Sequence, residues 1–461
     1  MRRREVTKRR AWTLAALVVC ALGGARAAAG GTPALEDVAA GVKIDAAQIS
    51  VSGISSGGFM AHQFHVAHSE HIMGAGIVAG GAYHCARGSI VDAVTRCSQF
   101  VMLECKALGL DPKLCGKADL APKNTSQVER AARASFEEAN KQEAAGTIDK
   151  LANLKNDNIY LISAAYDAVV PHGVMDAVLR FYADSDKVGV QEGNIIYNRT
   201  FPARHTMVRD SFDKPAGDVV GNCARPSVAG PESDKDTFID DCEAVAKQHE
   251  KTNSCICPPS AASRASVRAS CPPSGKQALC KGLKDVDLAG AILKRIYGEQ
   301  ALRAGRVSAQ ENEVQAFDQR QVFGKFSATP YNALQNASMA RDGYVFIPRT
   351  CKEGRPCKLH VAFHGCLQGG TTDTRSGHSG NLFSKYAGYN EWAKANEIIV
   401  LYPQIQARNV PPPLNPQGCW DWWGQDYTHE GYHTKRGKQI KAVAQMINLL
   451  AERQLLQVPP E

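Results

Sequence analysis

Beyond its first thirty residues the chain has no long apolar run. A membrane-crossing helix needs about 20 consecutive apolar residues, so none is expected in the remainder. A surplus of charge is missing as well. The formal net charge is +8, yet Arg2, Arg3, Arg4, Lys8, Arg9 and Arg10 stand against Glu5 in the first ten positions. Setting those aside removes a net of five and leaves the rest close to balance. No basic stripe remains to track phosphates, which excludes a nucleic-acid partner. Matched cysteine pairs with metal-ligand spacing are also lacking. Cys255 and Cys257 form a C-x-C pair with no second pair to complete four ligands. His62, His65, His68 and His71 recur every three residues, a spacing that drifts around a helix instead of converging. They read as helix-surface and packing residues. Neither metal nor cofactor is expected, and no tandem repeat is visible.

What is present begins with a leader. "MRRREVTKRR" is basic, "AWTLAALVVCALGGA" is apolar, and "ARAAA" offers small residues for cleavage. The expectation is a signal peptide over 1–27 and a secreted protein, extracellular or periplasmic, with no membrane contact after cleavage. Cysteine usage agrees. Of 15 cysteines Cys20 lies in the leader, and the 14 that remain are an even number in an exported chain, which predicts disulfides.

From residue 43 strands alternate with helices. "KIDAAQISV", "HIMGAGIVAGG", "NDNIYLISAAYDAVVP" and "NIIYNRTF" read as strands, and "GVMDAVLRFYADS" as a helix. After "DLAGAILKRIYG", a helix, and a polar connector come three more strands, in "GYVFIPRTC", "KLHVAFHGC" and "EIIVLYP". "GKQIKAVAQMINLLAERQL" spaces its apolar residues as an amphipathic helix does. Such alternation implies a mostly parallel central sheet with helices on both faces, an α/β fold. Residues 243–283 differ, being rich in Cys, Pro and Ser. They read as a surface insertion in a single catalytic domain spanning 28–461.

Gly53-Ile54-Ser55-Ser56-Gly57 stands between a strand and a helix-like stretch. A G-x-S-x-G pattern in that context puts its first serine at the tip of a sharp turn, where a base can reach the hydroxyl. The same letters also suit an ordinary Ser/Gly-rich turn. A serine hydroxyl is a weak nucleophile and needs a base, and the base needs an orienting acid. Asp167, at the end of "IYLISAAYD", fits the acid and equally suits a helix N-cap. His205, in the loop after the next strand, fits the base, although a loop histidine can be incidental. His433 in "EGYHTKRG" is a rival base, ranked lower because no strand runs immediately before it.

Attack on an ester carbonyl makes an oxyanion that needs preorganised donors. The backbone N–H of Ser56, the residue after the serine, is one. A second is offered by "KLHVAFHGCLQGG", an apolar strand running into His364-Gly365-Cys366. That element follows the serine by about 300 residues, whereas the usual hydrolase order puts it first. Moving 343–461 in front of residue 43 restores the usual order: strand, HGC loop, strand, "CWDWW" loop, strand, Ser55, Asp167, His205. The order is that of a circularly permuted α/β-hydrolase, a rearrangement tolerated where termini lie close together.

With these pieces assembled, the chain resembles the secreted poly(3-hydroxybutyrate) depolymerases of the permuted catalytic type, whose oxyanion element follows the triad. The resemblance rests on "GISSGGFMAHQFHVAHS", "AGGAYHCA", "AAYDAVVP", "FPARHT", "GYVFIP", "KLHVAFHGCLQG" and "CWDWWG". It covers the mature chain apart from 101–150 and 243–283. It implies a serine esterase acting on short-chain polyhydroxyalkanoates and their oligomers through an acyl-enzyme. It implies Ser55, Asp167 and His205 as triad, with backbone N–H groups of Ser56 and Cys366 as oxyanion donors. It also implies the disulfides Cys351–Cys357 and Cys366–Cys419, with Cys223–Cys242 beside them. A monomer is expected. Two departures stand out, the lack of an appended fibronectin-like or substrate-binding module and the insertion at 243–283. Both bear on whether crystalline polymer is a substrate.

A polymer chain needs an apolar mouth. Trp420, Trp422 and Trp423 in "GCWDWWG", with Tyr83, are candidates, because aromatic faces offer large apolar contact. Three tryptophans in four positions are not all expected in the core, so at least one should border the cleft. Two other readings stay open. One is a carbohydrate-ester esterase removing acetyl or feruloyl groups, which a product assay separates. The other is a catalytically silent binding protein on a hydrolase fold, against which the intact set of Ser55, Asp167, His205 and the HGC loop argues.

Overall fold

Ile398–Tyr402 is buried at every position and starts with three β-branched residues, the composition of a strand covered on both faces. It lies inside an eight-stranded sheet. The computed structural model describes residues 31–99, 120–165, 167, 169–201, 203, 205–209, 221–222, 239–241, 287–302, 304–369, 381–424 and 431–460. The strands in chain order are β1 (Lys43–Ile54), β2 (Ile72–Val78), β3 (Asn158–Ile162), β4 (Ile195–Asn198), β5 (Met207–Arg209), β6 (Gly221–Asn222), β7 (Ile239–Asp241), β8 (Val314–Asp318), β9 (Asp342–Phe346), β10 (Pro356–Phe363) and β11 (Ile398–Tyr402). The large sheet runs β4-β3-β2-β1-β10-β11-β9-β8, and β5, β7 and β6 form a small one. In the large sheet β9 alone runs against its neighbours. Residues 32–461 form one compact unit.

Helices cover both faces. The ones that matter here are α1 (Ser56–Ala67), α2 (Thr125–Ala144), α3 (His172–Ala183), α4 (Leu288–Tyr297), α5 (Tyr389–Asn396) and α6 (Lys438–Leu450). Phe64 of α1 meets Phe363 of β10 on one face. On the other, Ile292 and Ile296 of α4 press so closely on Gly76 and Gly74 of β2 that side chains there would collide.

Two departures from the sequence reading have physical causes. The polar connector holds β8, an edge strand whose first three residues are only half buried. The helix after the serine is buried at all twelve positions. His62 and His65 are therefore core groups and not surface ones, and His68 just beyond the helix is buried too. His65 bonds Tyr182 at 2.8 Å and Asp157 at 3.0 Å, and His62 bonds the Gly81 carbonyl at 2.9 Å.

The two central strands are tied by a buried polar chain. The Tyr389 and Ser52 hydroxyls and His360 Nε2 follow one another at 2.7 Å spacing. His360 Nδ1 meets Ser50 Oγ at 2.7 Å, which donates to Tyr297, which donates to the Leu359 carbonyl. Each of these groups has a partner, as buried polar groups require. The register that results sets Ser50 beside His360 and Gly53 beside Phe363. Both strands then end on the same rim.

Candidate active site

β1 ends at Ile54, and Ser55 turns the chain at φ 57°, ψ −126°, a conformation non-glycine residues rarely adopt. Strain of this kind costs about 1–3 kcal/mol and persists only where the surroundings impose it. Here the Ser55 N–H donates to the Val78 carbonyl at 2.9 Å, and its own carbonyl accepts the first helical bond of α1, from Phe59, at 3.0 Å. Gly57 makes the approach possible. A Cβ there would stand 2.3 Å from the Phe363 carbonyl oxygen and 2.4 Å from that of His364.

The HGC loop lies directly against this turn. A Cβ on Gly365 would sit 3.2 Å from Ser55 Cβ and 3.3 Å from the Ile54 carbonyl oxygen. Cys366 is disulfide-bonded to Cys419. Asn415 brackets Cys419, accepting its N–H and donating to its carbonyl, both at 2.8 Å. Cys351–Cys357 is bonded at the far end of β10. Cys223 and Cys242 lie outside the described residues. A third bond, Cys85–Cys97, was not anticipated, and nothing in its sequence spacing singles it out.

The acid and base candidates sit on the same rim. Backbone bonds continue past the strand ends, from Ala79 to Ile162, Ser163 to Asn198 and Ala165 to Phe201. Asp167 Oδ1 accepts the N–H groups of Val169 and Val170 at 2.8 and 2.9 Å. Its Oδ2 faces His205 Nδ1 at 2.9 Å, both side chains being largely buried. A carboxylate only accepts, so the imidazole proton is on Nδ1 and Nε2 carries the lone pair that a base needs. Asp167 and His172 line a cavity of about 740 Å³ with Asp176 and Arg199.

Other candidates are committed elsewhere. His433 is buried, bonded to Glu138 at 3.3 Å and stacked on His84 at 4.1 Å. Burial lowers the pKa of His433, and burial first and then His433 bring His84 down to about 3. The His433 hydrogen bond holds the Glu138 carboxyl down to about 2. Among the described residues these three bring ligand atoms within 4.8 Å of one another. The two rings lie only 27° from parallel, so their in-plane lone pairs run side by side and do not converge on one ion.

The aromatic wall is not where the sequence reading put it. Tyr83 and Trp420 are 0% exposed, Trp422 3% and Trp423 4%. Trp422 stacks on Phe59 at 4.2 Å, and Trp420 meets the Phe363 ring edge-on at 4.9 Å. Gln63 of α1 and Gln439 of α6 bond the Asp421 backbone between them, at 2.9 and 2.7 Å. The loop is thereby folded inward, and its tryptophans prop the elbow and the HGC loop from below. All three are buried.

No family model matches the chain. It is 30% identical over 450 residues to the poly(3-hydroxybutyrate) depolymerase of Delftia acidovorans, covering 97% of this chain and 67% of that one. It is 29% identical over 413 residues to the polyhydroxybutyrate depolymerase of Talaromyces funiculosus, covering 88% of each. Among solved structures, PHB depolymerase from Penicillium funiculosum and a PHB depolymerase complexed with an R3HB trimer each align over 93% of this chain and 100% of theirs. Their TM-score is 0.57 at 24% identity, a likeness of fold. The extent of the Delftia match and the shared fold agree: the chain belongs to the poly(3-hydroxybutyrate) depolymerase family.

Proposed function

We propose that this chain hydrolyses ester bonds of poly(3-hydroxybutyrate), related short-chain polyhydroxyalkanoates and their oligomers, with Ser55 as nucleophile. The observation that carries the reading is the seat of the HGC loop against the elbow: a Cβ on Gly365 would stand only 3.2 Å from Ser55 Cβ, tighter than ordinary contact. On this reading the backbone N–H groups of Ser56 and Cys366 serve as the oxyanion donors.

The steps on this reading are those of a serine hydrolase. Ser55 Oγ attacks the ester carbonyl and gives its proton to His205 Nε2, while Asp167 holds the ring by Nδ1. The carbonyl oxygen becomes an oxyanion facing the two N–H groups. Its collapse breaks the ester C–O bond, and the alcohol end of the polymer leaves with the proton from His205. Water then attacks the acyl-enzyme, gives a proton to His205, and the carboxylic acid departs as Ser55 regains its hydrogen.

The order of β10 and β1, adjacent in the sheet but far apart in the chain, supports a circularly permuted hydrolase. One compact unit over 32–461 supports a single catalytic domain, and the insertion read at 243–283 lies outside the described residues. Disulfides fit an exported protein, and no helix among the described residues is long and apolar enough to cross a membrane. The test is clearing of amorphous and crystalline polymer suspensions with identification of the products. Hydroxybutyrate oligomers support the reading. Release of acetate or a phenolic acid from polysaccharide esters, with no clearing of polymer, overturns it.

A further inference from the structure

His364 is fully buried and bonds in two directions. Its Nε2 lies 3.1 Å from the backbone nitrogen of Ile405, and its Nδ1 lies 2.7 Å from the carbonyl oxygen of Gly365. A backbone N–H only donates and a carbonyl only accepts. One tautomer alone satisfies both, with the lone pair on Nε2 and the proton on Nδ1. Burial brings the ring's pKa to about 4.

The carbonyl that His364 holds belongs to the peptide joining Gly365 to Cys366. In a trans peptide the C=O and the N–H point opposite ways. Fixing the Gly365 oxygen therefore fixes the direction of the Cys366 N–H. The rest of the loop is closed around this plane. Gly365 N–H donates to Gln368 Oε1 at 2.6 Å, and Trp420 packs 5.7 Å from the His364 ring. Gly369 makes room for the ring, since a Cβ there would stand 3.1 Å from His364 Cε1.

We propose that His364 is a positioning residue for the ester hydrolysis: its Nδ1–H, through the Gly365 carbonyl, aims the Cys366 N–H at the oxyanion. The proposal rests on the reading of the HGC loop as the oxyanion element. It assigns the histidine of the HGC run a task that the spacing of the run does not reveal.

Two substitutions separate this task from packing. In His364→Asn the amide nitrogen can take the place of Nδ1 and keep the Gly365 bond, while the bond from Ile405 is lost. His364→Gln keeps a polar group near Nε2 and nothing near Nδ1. With p-nitrophenyl butyrate, His364→Asn is expected to keep kcat within about threefold, and His364→Gln to lose about 30–100-fold in kcat at a KM within about twofold. Thermal melting should rank them the other way, with the Gln variant the more stable. Loss of kcat in step with lost stability in both variants overturns the proposal.

A second pair tests the loop itself. Cys366→Pro with Cys419→Ser lacks the N–H at 366, whereas Cys366→Ser with Cys419→Ser keeps it. If the first is about 100-fold slower while His364→Gln is normal, the oxyanion reading stands and the positioning role falls. If the two double variants turn over alike, the oxyanion reading itself falls. Nitrogen NMR of histidine-labelled wild type, assigned by difference against His364→Asn, needs no loss of function. A neutral Nδ1–H tautomer at His364 is expected, and an Nε2–H tautomer overturns the proposal.

Discussion

On the proposed roles, the nucleophile side of the rim and the base side are built to different tolerances. Ser55 ends a twelve-residue strand paired on both edges, with the Val78 carbonyl holding its N–H. The facing loop is stapled by Cys366–Cys419 and clamped by Asn415 and Gln368. On the base side β3 and β4 have five and four residues, and β4 is a half-exposed edge. There Asp167 is held by a turn of its own making, through Val169 and Val170. The contrast matches the tasks. Oxyanion donors stabilise charge only if they are already in place when it develops. A base that takes a proton from Ser55 and delivers it to a leaving group must serve two positions.

The largest effects come from removing either side's acting group. Ser55→Ala and His205→Ala are each expected to lower p-nitrophenyl butyrate turnover by about 10³-fold or more, because triad members act as a unit. An organophosphonate label should map to Ser55 in the wild type. His433→Ala should keep most activity, since that ring is spent on Glu138 and His84. A wild-type rate in His205→Ala, with a collapse in His433→Ala, would break the assignment of the base side.

The disulfides at the two ends of β10 sharpen the comparison, because they differ in position and little in chemistry. Removing Cys366–Cys419 by paired serines should lower stability by about 2–5 kcal/mol. It should also cost on the order of 10–100-fold in kcat, since a donor misplaced by about 1 Å is that expensive. Removing Cys351–Cys357, at the other end of the strand, should lower stability and leave kcat within about twofold. Equal kcat losses in the two pairs would mean that the staple acts on the whole sheet and not on the rim.

Much of this was legible in the sequence for a plain reason. Strands covered on both faces are written as apolar runs, and "IMGAGIV", "NIYLI", "KLHVAF" and "IIVLY" all became such strands. Ser55, Asp167 and His205 could be singled out as candidates because each follows a strand. What composition conceals is direction. The same "CWDWW" letters suit an exposed wall or a buried prop, and the choice was made by Gln63 and Gln439, distant in sequence, which fold the loop inward. The strand β8 was missed because an edge strand carries little apolar signal. His364 could be named as part of the HGC run, but its tautomer depends on Ile405, forty-one residues further on.

Acid should find the nucleophile side first. His62 and His360 are held neutral by burial, with pKa values about 3, and His364 at about 4. The unfolded chain binds these protons at the ordinary 6.5, so it binds more protons than the fold below that pH. The stability these rings contribute is complete above 6.5 and is lost as pH falls from 6.5 toward 3. Each adds a slope of about 1.4 kcal/mol per pH unit in that window. Glu138, held down to about 2, adds a further loss below about 4.5. Urea midpoints at pH 7, 6, 5 and 4 measure the slope, and His360→Gln should flatten it by about one proton. A wild-type midpoint that does not move between pH 7 and 4 would show that these rings are not buried as neutral groups.

The smallest expected effect on turnover tests the nucleophile side most finely. Ser56 Oγ accepts the backbone N–H of Trp420 at 3.2 Å, joining the elbow to the tryptophan loop. Ser56→Ala leaves that N–H buried without its partner, which costs about 1–3 kcal/mol of stability. The backbone N–H of residue 56 is untouched by the change, so kcat should stay within about threefold. Melting and turnover are therefore expected to separate, the reverse of Ser55→Ala, which should spare the fold and stop the chemistry. A kcat loss in Ser56→Ala as large as that of Ser55→Ala would move the nucleophile by one residue, and the phosphonate label would move with it.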